Sequence, residues 1–434
     1  MVEEVFPSWT KKRKRDPLKW STLENSTKKR KTTSWSSSKW SELQPELMEL
    51  IINRLSFVDM LRLKAVCSSW NSTAQSCVAL MMNRAPWLML PSYEDNDDLT
   101  RCFYSLKENK VYTIKNAFED FHGACCVGSS HGWLVIVKDK KIPHLFNPIF
   151  GNKSIELPQI PSATSSLIGS NVPYYRVTKA VISSDPSRYN FSVAIIYGMR
   201  PSRLAFYNHG DEEWTDLHGE HQEYCDIIFH NDQLFALAEN GSVEAWDFRK
   251  PSPKRSINLQ PSSKEVDLRD YTSDERFSTM TYLVESSGEI LSVVRCIANY
   301  VNHEGKAIHE MDLPSEPCSP CPYRTLQFYV FKLNFAANKW ENVESLRNRA
   351  LFLGGSQSMS LSTGEVPGCE ENSIYFTDDS WDAIEWSGHE NEEDAHGGHD
   401  MGVYNLEEKV VKQFYQADKW RIDPPPFWIV PNPG

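Results

Sequence analysis

The 434-residue sequence has no long apolar run, and this absence excludes a helical membrane span. Its longer hydrophobic stretches, such as residues 193–197, have only the length of a β-strand. The first residues lack the basic-then-apolar order of a signal peptide, so we expect an intracellular protein. A Gly-rich phosphate loop, a G-x-S-x-G turn and an H-E-x-x-H pair are also missing, which removes the usual sequence signatures of nucleotide, serine-hydrolase and zinc-protease chemistry.

Cysteine is too sparse for a disulfide framework, with ten residues in the whole chain. Residues 318–321 form the only C-x-x-C pair, and no second pair stands at zinc-finger spacing. His122, Cys125, Cys126 and His131 lie close in sequence, but strand alternation would place the adjacent cysteines on opposite faces. We therefore expect ordinary buried or loop cysteines, with no metal and no cofactor.

Positive charge is concentrated at the start of the chain. Residues 1–40 hold eleven Lys/Arg against four Asp/Glu, whereas residues 87–434 carry a net charge of −19. The acidic body argues against nucleic acid as its main ligand. Residues 1–39 are polar and aperiodic, so we predict a disordered tail.

Two basic clusters within this tail resemble a bipartite nuclear-localisation signal. A disordered basic arm can lie along an acidic receptor groove, which predicts a nuclear protein, with the cytoplasm as a further location. The alternatives are a solvated tail and a non-specific nucleic-acid arm. The two clusters consist of Lys11, Lys12, Arg13, Lys14 and Arg15, followed by Lys28, Lys29, Arg30 and Lys31.

A short helical unit is predicted over residues 40–86, including a linker. Pro45 stands where a helix would begin, a position at which its missing N–H costs nothing. Only a narrow polar stripe then interrupts the apolar surface of this helix, and residues 57–70 again have helical spacing. So short a unit cannot bury that surface within itself, so it packs either on the rest of the chain or on a second protein.

Eleven residues of this unit resemble the F-box pattern, with its Leu-Pro opening and its Val-Cys-x-x-Trp close. One departure is Gln44, which separates the opening leucine from the proline. In F-box proteins this three-helix unit docks on the small Skp-type adaptor of a cullin-based ubiquitin ligase. The resemblance implies that seven residues contact the adaptor or hold the adaptor-facing helices together: Leu43, Pro45, Leu47, Ile51, Leu55, Val66 and Trp70.

From about residue 99 the sequence changes to short β-rich runs separated by Gly, Asn, Asp and Pro. So many successive hairpins exceed a single sandwich and favour a closed radial array of four-stranded blades. We therefore predict a mainly β protein in which a β-propeller of six to eight blades spans residues 87–434. A large sandwich or two β-domains is the alternative fold. The repeats match neither the WD40 nor the kelch pattern.

Several segments of this region resemble the divergent propeller of plant F-box proteins with a KIB-type domain. They occur in family order and follow an F-box, as in that family. The segments are Gly128–Leu134, Leu145–Pro148 with Ile155–Pro158, Leu204–Phe206 with Gly210–Trp214, Gly241–Asp247, Tyr282–Glu285 with Ser287–Ile290, Arg349–Gly354 and Asn372–Asp378.

The two resemblances together imply the substrate-recognition subunit of an SCF-type cullin ubiquitin ligase. The F-box would bind the Skp-type adaptor, and through it a cullin, while the propeller would bind an unknown protein substrate without catalysing a reaction. Neither a membrane nor nucleic acid is an expected partner. A propeller enzyme with a helical cap and a nuclear scaffold unconnected to ubiquitin remain alternatives.

Exposed loops near the C-terminus are the first candidates for the substrate-binding face, because loops on a rigid frame commonly carry binding. They contain Trp381, Trp386 and the histidine-rich run at residues 389–399. Gly397 and Gly398 beside many charges favour a mobile, solvated loop over a built metal site.

Overall fold

The structure is a computed structural model. It describes residues 2–5, 43–52, 54–55, 57–74, 86–92, 99–116, 118–121, 124–138, 142–149, 153–161, 163–164, 173–174, 177–198, 201–249, 252–260, 274–302, 304–313, 323–366, 368–379, 397–413, 422 and 424–431. Its helices and strands are numbered below in chain order. Within these residues no helix is long and apolar enough to cross a membrane.

Residues 45–74 contain three short helical segments, as predicted for the F-box. Helix α1 (Pro45–Ile52) begins at the predicted proline. The carbonyl of Gln44 accepts the N–H groups of Leu47 and Met48, both at 3.1 Å, and so starts the helix. Helix α2 (Phe57–Lys64) follows after a short turn, and residues 68–74 form the third segment.

Most of the remaining described chain forms six sheets, or blades, which confirms the propeller prediction and sets the blade number at six. Blade 1 contains β1 (Val2–Val5), β2 (Trp87–Leu90), β3 (Arg101–Ser105) and β4 (Lys110–Ile114). Blade 2 contains β5 (Cys125–Ser130), β6 (Trp133–Lys138), β7 (Ile142–Asn147) and β8 (Lys153–Glu156), and the small pair β9 (Ala163–Thr164) and β10 (Pro173–Tyr174) follows it. Blade 3 contains β11 (Val177–Ile182), β12 (Ser192–Tyr197), β13 (Arg203–Asn208) and β14 (Thr215–Asp216).

The other three blades continue in chain order. Blade 4 contains β15 (Tyr224–His230), β16 (Gln233–Ala238), β17 (Val243–Asp247) and β18 (Lys254–Leu259). Blade 5 contains β19 (Phe277–Ser286), β20 (Glu289–Ala298), β21 (Arg324–Asn334) and β22 (Lys339–Asn342). Blade 6 contains β23 (Arg349–Leu353), β24 (Met359–Ser362), β25 (Ser373–Phe376), β26 (Gly402–Asn405) and β27 (Val410–Lys412), and β28 (Phe427–Ile429) returns to blade 1. Single 3-10 turns lie at Glu119–Phe121, Pro186–Arg188 and Glu310–Asp312.

The last strand closes the ring. β28 pairs antiparallel with β2, placing Ile429 opposite Trp87 and Phe427 opposite Met89. Contacts then run around the axis from β28 to β5, β11, β15, β19 and β24, which are the innermost strands. Blade 1 therefore combines strands from opposite ends of the chain, and closure leaves no open sheet edge between the first and last blades.

Residues 2–5 differ from the predicted disordered tail. They form β1, the outer strand of blade 1, with Val2 opposite Ile114 and Val5 opposite Val111. Four residues are too short for periodicity to reveal a strand, although valine favours one. The rest of the segment 1–39 lies outside the described residues.

Alternation along each strand explains the core. In β12, Val193 and Ile195 lie in the apolar cluster between blades 2 and 3, whereas Ala194 and Ile196 lie in the cluster between blades 3 and 4. Six such clusters occur, one at each junction between neighbouring blades. Both faces of a blade are thus buried, which is why the strands appear in the sequence as nearly continuous apolar runs.

The helical unit is attached to one of these junctions. Met48, Ile52, Met60 and Leu63 belong to the same buried cluster as the residues between blades 1 and 2. The helices therefore bury one side on the rest of the chain, which was one of the two possibilities that the sequence left open.

Tight turns join the two inner strands of three blades. The turns at residues 131–132, 231–232 and 287–288 have positive φ at both positions, the pattern of two-residue type I′ turns. Blade 3 departs from this pattern, because residues 183–191 connect β11 to β12.

Candidate functional site

A row of apolar side chains on α1 faces solvent. Leu47, Leu50 and Ile51 are 49%, 60% and 40% exposed, and their spacing places them on one side of the helix. Met48 and Ile52 on the opposite side are each 1% exposed. Beyond α2, Val66 is 60% exposed as well. We call these four exposed residues the apolar row: Leu47, Leu50 and Ile51 on α1, together with Val66 after α2.

The other predicted adaptor-binding residues separate into two groups. Pro45 is exposed at the first position of α1. Leu43, Leu55 and Trp70 are partly buried and pack against the cluster between blades 1 and 2. These three residues are therefore packed on the propeller, whereas Pro45 is exposed at the start of α1, three and seven residues before the buried Met48 and Ile52.

Sequence reasoning missed Leu50, the most exposed residue of α1's apolar side. Its signal was present, since Leu50 stands three residues after Leu47 and so shares its face. Charged neighbours surround this face: Glu46, Glu49 and Arg54 are exposed. An apolar patch with a polar rim is typical of a protein-binding surface.

Residues 354–360, which run from the end of β23 into β24, contact the inner strands of four other blades. The Lys179 ammonium donates to the carbonyl of Gly354 at 3.1 Å, and the N–H of Gln357 donates to the carbonyl of Ser129 at 3.2 Å. The Ser358 hydroxyl lies 3.4 Å from the Asp226 carboxylate, and the hydroxyls of Ser286 and Ser360 are 2.8 Å apart. Residues 354–360 therefore touch blades 2, 3, 4 and 5 from blade 6.

A buried ion pair supports this segment. The Nζ of Lys179 lies 3.2 Å from the Oδ1 of Asp226, and both residues are buried. The Asp226 carboxylate also accepts the N–H groups of Ile227 at 2.8 Å and Leu283 at 2.9 Å. Burial raises the pKa of Asp226, and the nearby Lys179 opposes that change. The ion pair and these hydrogen bonds therefore join the inner strands of blades 3, 4 and 5.

A second buried ion cluster joins blades 5 and 6. Arg295, only 1% exposed, donates to Asp379 at 3.1 Å and to Asp400 at 2.9 Å. Its Nε donates to Thr325 at 2.7 Å, and its guanidinium lies 4.7 Å from the ring centre of Phe376. Burial raises the pKa of Asp379 to about 6, although Arg295 opposes the shift.

This cluster contains described residues on both sides of the segment that carries the predicted substrate-binding tryptophans. Asp378 and Asp379 precede that segment, and His399 and Asp400 follow it. The Asp378 carboxylate accepts the Tyr323 hydroxyl at 2.5 Å and the N–H of Asp400 at 3.2 Å. Trp381, Trp386 and residues 389–396 lie outside the described residues, so their predicted role stays a prediction.

The end of the histidine-rich run differs from the solvated loop that was expected. Gly397 and Gly398 are buried, and the Gly397 carbonyl accepts the N–H of Ile422 at 2.8 Å. A Cβ on Gly398 would lie 2.3 Å from the Ile422 carbonyl oxygen, so glycine serves close approach here. A ring nitrogen of His399 lies 3.1 Å from the Tyr323 carbonyl oxygen. Flexibility and close packing give the same glycine signal in a sequence, which explains the error.

The adjacent cysteines considered as metal or thiol sites differ in exposure. Cys125 is exposed, whereas burial raises the pKa of the adjacent Cys126 thiol. Within the described part of the chain no group of three or more His, Cys, Asp and Glu could hold a metal ion. His122, residues 318–321 and the basic clusters of residues 11–15 and 28–31 lie outside that part.

Models of known protein families match both the helical unit and the propeller. The F-box domain model matches residues 40–79, and the KIB1-4 beta-propeller model matches residues 103–405. F-box/kelch-repeat protein KIB1 of Arabidopsis thaliana is 27% identical, over 81% of this chain and 80% of that protein. F-box protein SKIP23 of the same plant is 23% identical, over 90% of this chain and 95% of that protein. The chain therefore belongs to the plant F-box proteins that carry a KIB1-4 β-propeller.

Proposed function

We propose that this protein is the substrate receptor of an SCF-type ubiquitin ligase, in which the apolar row binds a Skp-type adaptor. The observation that carries the proposal is the exposure of Leu47, Leu50, Ile51 and Val66 within the segment that matches the F-box. Fully burying an exposed side chain of this size contributes roughly 1.5–3 kcal/mol. Since these four are 40–60% exposed, each contributes about half of that value when a partner covers it.

The attachment of the helices gives the receptor its geometry. Since Met48 and Ile52 are buried in the cluster between blades 1 and 2, the helices are fixed to the propeller. A substrate on the propeller is then held at a set distance from the adaptor and the cullin behind it. Such a subunit makes no bond itself; it raises the local concentration of a substrate lysine at the ubiquitin-charged enzyme.

Retention of the adaptor by the full-length protein tests this proposal. We expect wild type to retain a plant Skp-type adaptor in a pull-down and the Leu47→Asp/Leu50→Asp variant to lose it. Phe335→Asp is the matched control, because Phe335 is a 45% exposed apolar residue on the propeller. Failure of the wild type to retain the adaptor would refute the proposal and favour the scaffold or enzyme alternatives.

We further propose nuclear import through the two basic clusters, residues 11–15 and 28–31. Replacing their nine Lys and Arg residues by alanine should move a fluorescent fusion to the cytoplasm, because the carboxylates of an import receptor would lose their partners. A variant with lysine and arginine exchanged at the same positions keeps the charge and should stay nuclear. An unchanged nuclear signal in the alanine variant would contradict the proposal.

A further inference from the structure

The inner hairpin of blade 3 carries an unusual exposed aromatic residue. Residues 183–191 replace the two-residue turn found in blades 2, 4 and 5. Tyr189 within this turn is 71% exposed and has a φ of 55°, a left-handed conformation that bulky residues rarely adopt. Strain of this kind persists only where the surroundings impose it, and it concentrates at binding sites.

Hydrogen bonds within the turn and one from blade 2 hold it in place. The Asp185 carboxylate accepts the N–H of Ser187 at 3.0 Å and the indole N–H of Trp133, from blade 2, at 3.2 Å. The N–H of Tyr189 donates to the Pro186 carbonyl at 3.1 Å. The exposed ring is therefore presented on an ordered frame, and little freedom is lost when a partner covers it.

A second turn of blade 3 extends the aromatic surface. The connection between β13 and β14 lies at the same end of the antiparallel sheet, and the N–H of His209 donates to the Phe191 carbonyl at 2.9 Å. The ring of His209 lies 5.7 Å from that of Tyr189 and 4.9 Å from that of Phe191, between centres. The exposed rings of Tyr189 and His209 form one patch across the two turns, and the buried ring of Phe191 stacks against His209 and supports it.

An acidic cleft adjoins this patch. Its volume is about 450 Å³, and it lies between the outer edge of blade 3 and residues 252–253 of blade 4. Among its lining residues, Asp211 accepts the N–H of Asn208 at 3.0 Å, and Asp216 accepts the Tyr197 hydroxyl at 2.5 Å. Glu212 and Glu213 also line it and are exposed, and neither has an ion-pair partner among the described residues.

We propose that this surface binds a lysine- or arginine-bearing segment of the protein substrate. A cation can lie on the face of Tyr189 while a neighbouring basic side chain meets Glu212 or Glu213. The net charge of −19 over residues 87–434 adds attraction at longer range. This inference rests on the proposed receptor function and assigns the substrate to blade 3 instead of to the predicted tryptophans.

Fluorescence anisotropy on the purified full-length protein tests the surface. The probe is a labelled twelve-residue peptide of alternating lysine, arginine and serine, with an Asp/Glu peptide of the same length for comparison. We expect the basic peptide to bind and the acidic one not to bind, with weaker binding as salt is raised. Equal binding of the two peptides would overturn the proposal.

Matched variants localise the binding. Tyr189→Asn keeps the turn, because asparagine tolerates the left-handed conformation. We expect it to weaken binding about tenfold, and Glu212→Gln/Glu213→Gln to weaken it about fivefold. Phe335→Ala removes another exposed ring, and Glu407→Gln/Glu408→Gln removes another adjacent exposed pair, so both should stay within about twofold of wild type. Equal losses in test and control variants would overturn the proposal.

The chain's own basic tail is the competing occupant. If it filled the cleft, a variant with residues 11–15 and 28–31 changed to glutamine would bind the probe more tightly than wild type, and this result would overturn the assignment to substrate. Measuring adaptor retention on the same proteins distinguishes a failure of the blade 3 proposal from a failure of the receptor proposal. Lost peptide binding with the adaptor retained refutes only the blade 3 surface, whereas lost adaptor binding in the wild type refutes the receptor function.

Discussion

Replacing Arg295 by methionine should destabilise the propeller far more than replacing any exposed arginine. Methionine fills much of the same space without a charge, so the change leaves Asp379 and Asp400 buried without their cation. Breaking a buried ion pair by removing one partner costs about 3–5 kcal/mol. For a domain of this size that loss corresponds to a fall in Tm of about 4–7 °C.

The matched control is Arg276→Met. Arg276 also forms a forked pair with an aspartate, Asp274, with an N···O distance of 2.6 Å, but its side chain is 44% exposed. Solvent already screens that pair, so we expect no measurable change in Tm. Melting curves of the full-length proteins should be compared at a single scan rate, because large domains often unfold irreversibly.

The pH dependence gives a second readout. The pKa of Asp379 is raised to about 6 from 3.8, so the folded chain holds this proton more tightly than the unfolded chain. Stability from this carboxyl is therefore fully present below pH 3.8 and is lost as pH rises through about 6. Removing Arg295 raises this pKa further, so the variant's deficit in Tm should shrink as the pH falls from neutrality through about 6. Equal melting of Arg295→Met and Arg276→Met at neutral pH would refute the reasoning.

Three further predictions concern other parts of the fold. Gly128→Ala should destabilise by about 1–3 kcal/mol, because its Cβ would lie 2.1 Å from the Ala180 carbonyl oxygen, whereas Gly364→Ala has room and should leave the urea midpoint unchanged. Truncation after residue 423 removes β28 and should lower the Tm and broaden the melt; an unaltered transition would count against closure by that strand. Leu50→Asp alone should weaken adaptor binding at least as much as Ile51→Asp, since Leu50 is the more exposed; calorimetry with purified adaptor measures both.

The propeller was predictable because its local signals agree. Turn-forming residues separate short apolar runs, and burial of both blade faces makes a run such as residues 193–197 visible without any knowledge of its neighbours. The start of α1 was equally clear from Pro45. What could not be predicted depends on distant partners: the contacts of Arg295 join residues up to 105 positions apart, and no window of sequence contains them.

The candidate surfaces also contain some residues that local sequence patterns predict and others that depend on distant packing. Helical spacing identified Leu47 and Ile51, whereas the partly buried positions of Leu43 and Trp70 required the packing of blades 1 and 2. The exposure of Tyr189 could not be predicted, because the sequence does not show whether an aromatic residue in a loop is buried or exposed. The turn that contains Tyr189 is longer than the two-residue turns of blades 2, 4 and 5, and only the structure allows that comparison.

The pairing of β28 with β2 also governs how the protein is made. The F-box helices and β2 are synthesised long before residues 427–429. One edge of β2 therefore lacks its partner strand, β28, during most of translation. Nascent chains with such an open edge are exposed to wrong pairing and to chaperones. A premature stop codon near the end of the message would therefore release a chain whose ring cannot close and whose F-box helices lack Phe427 and Ile429, two residues of the cluster on which they pack.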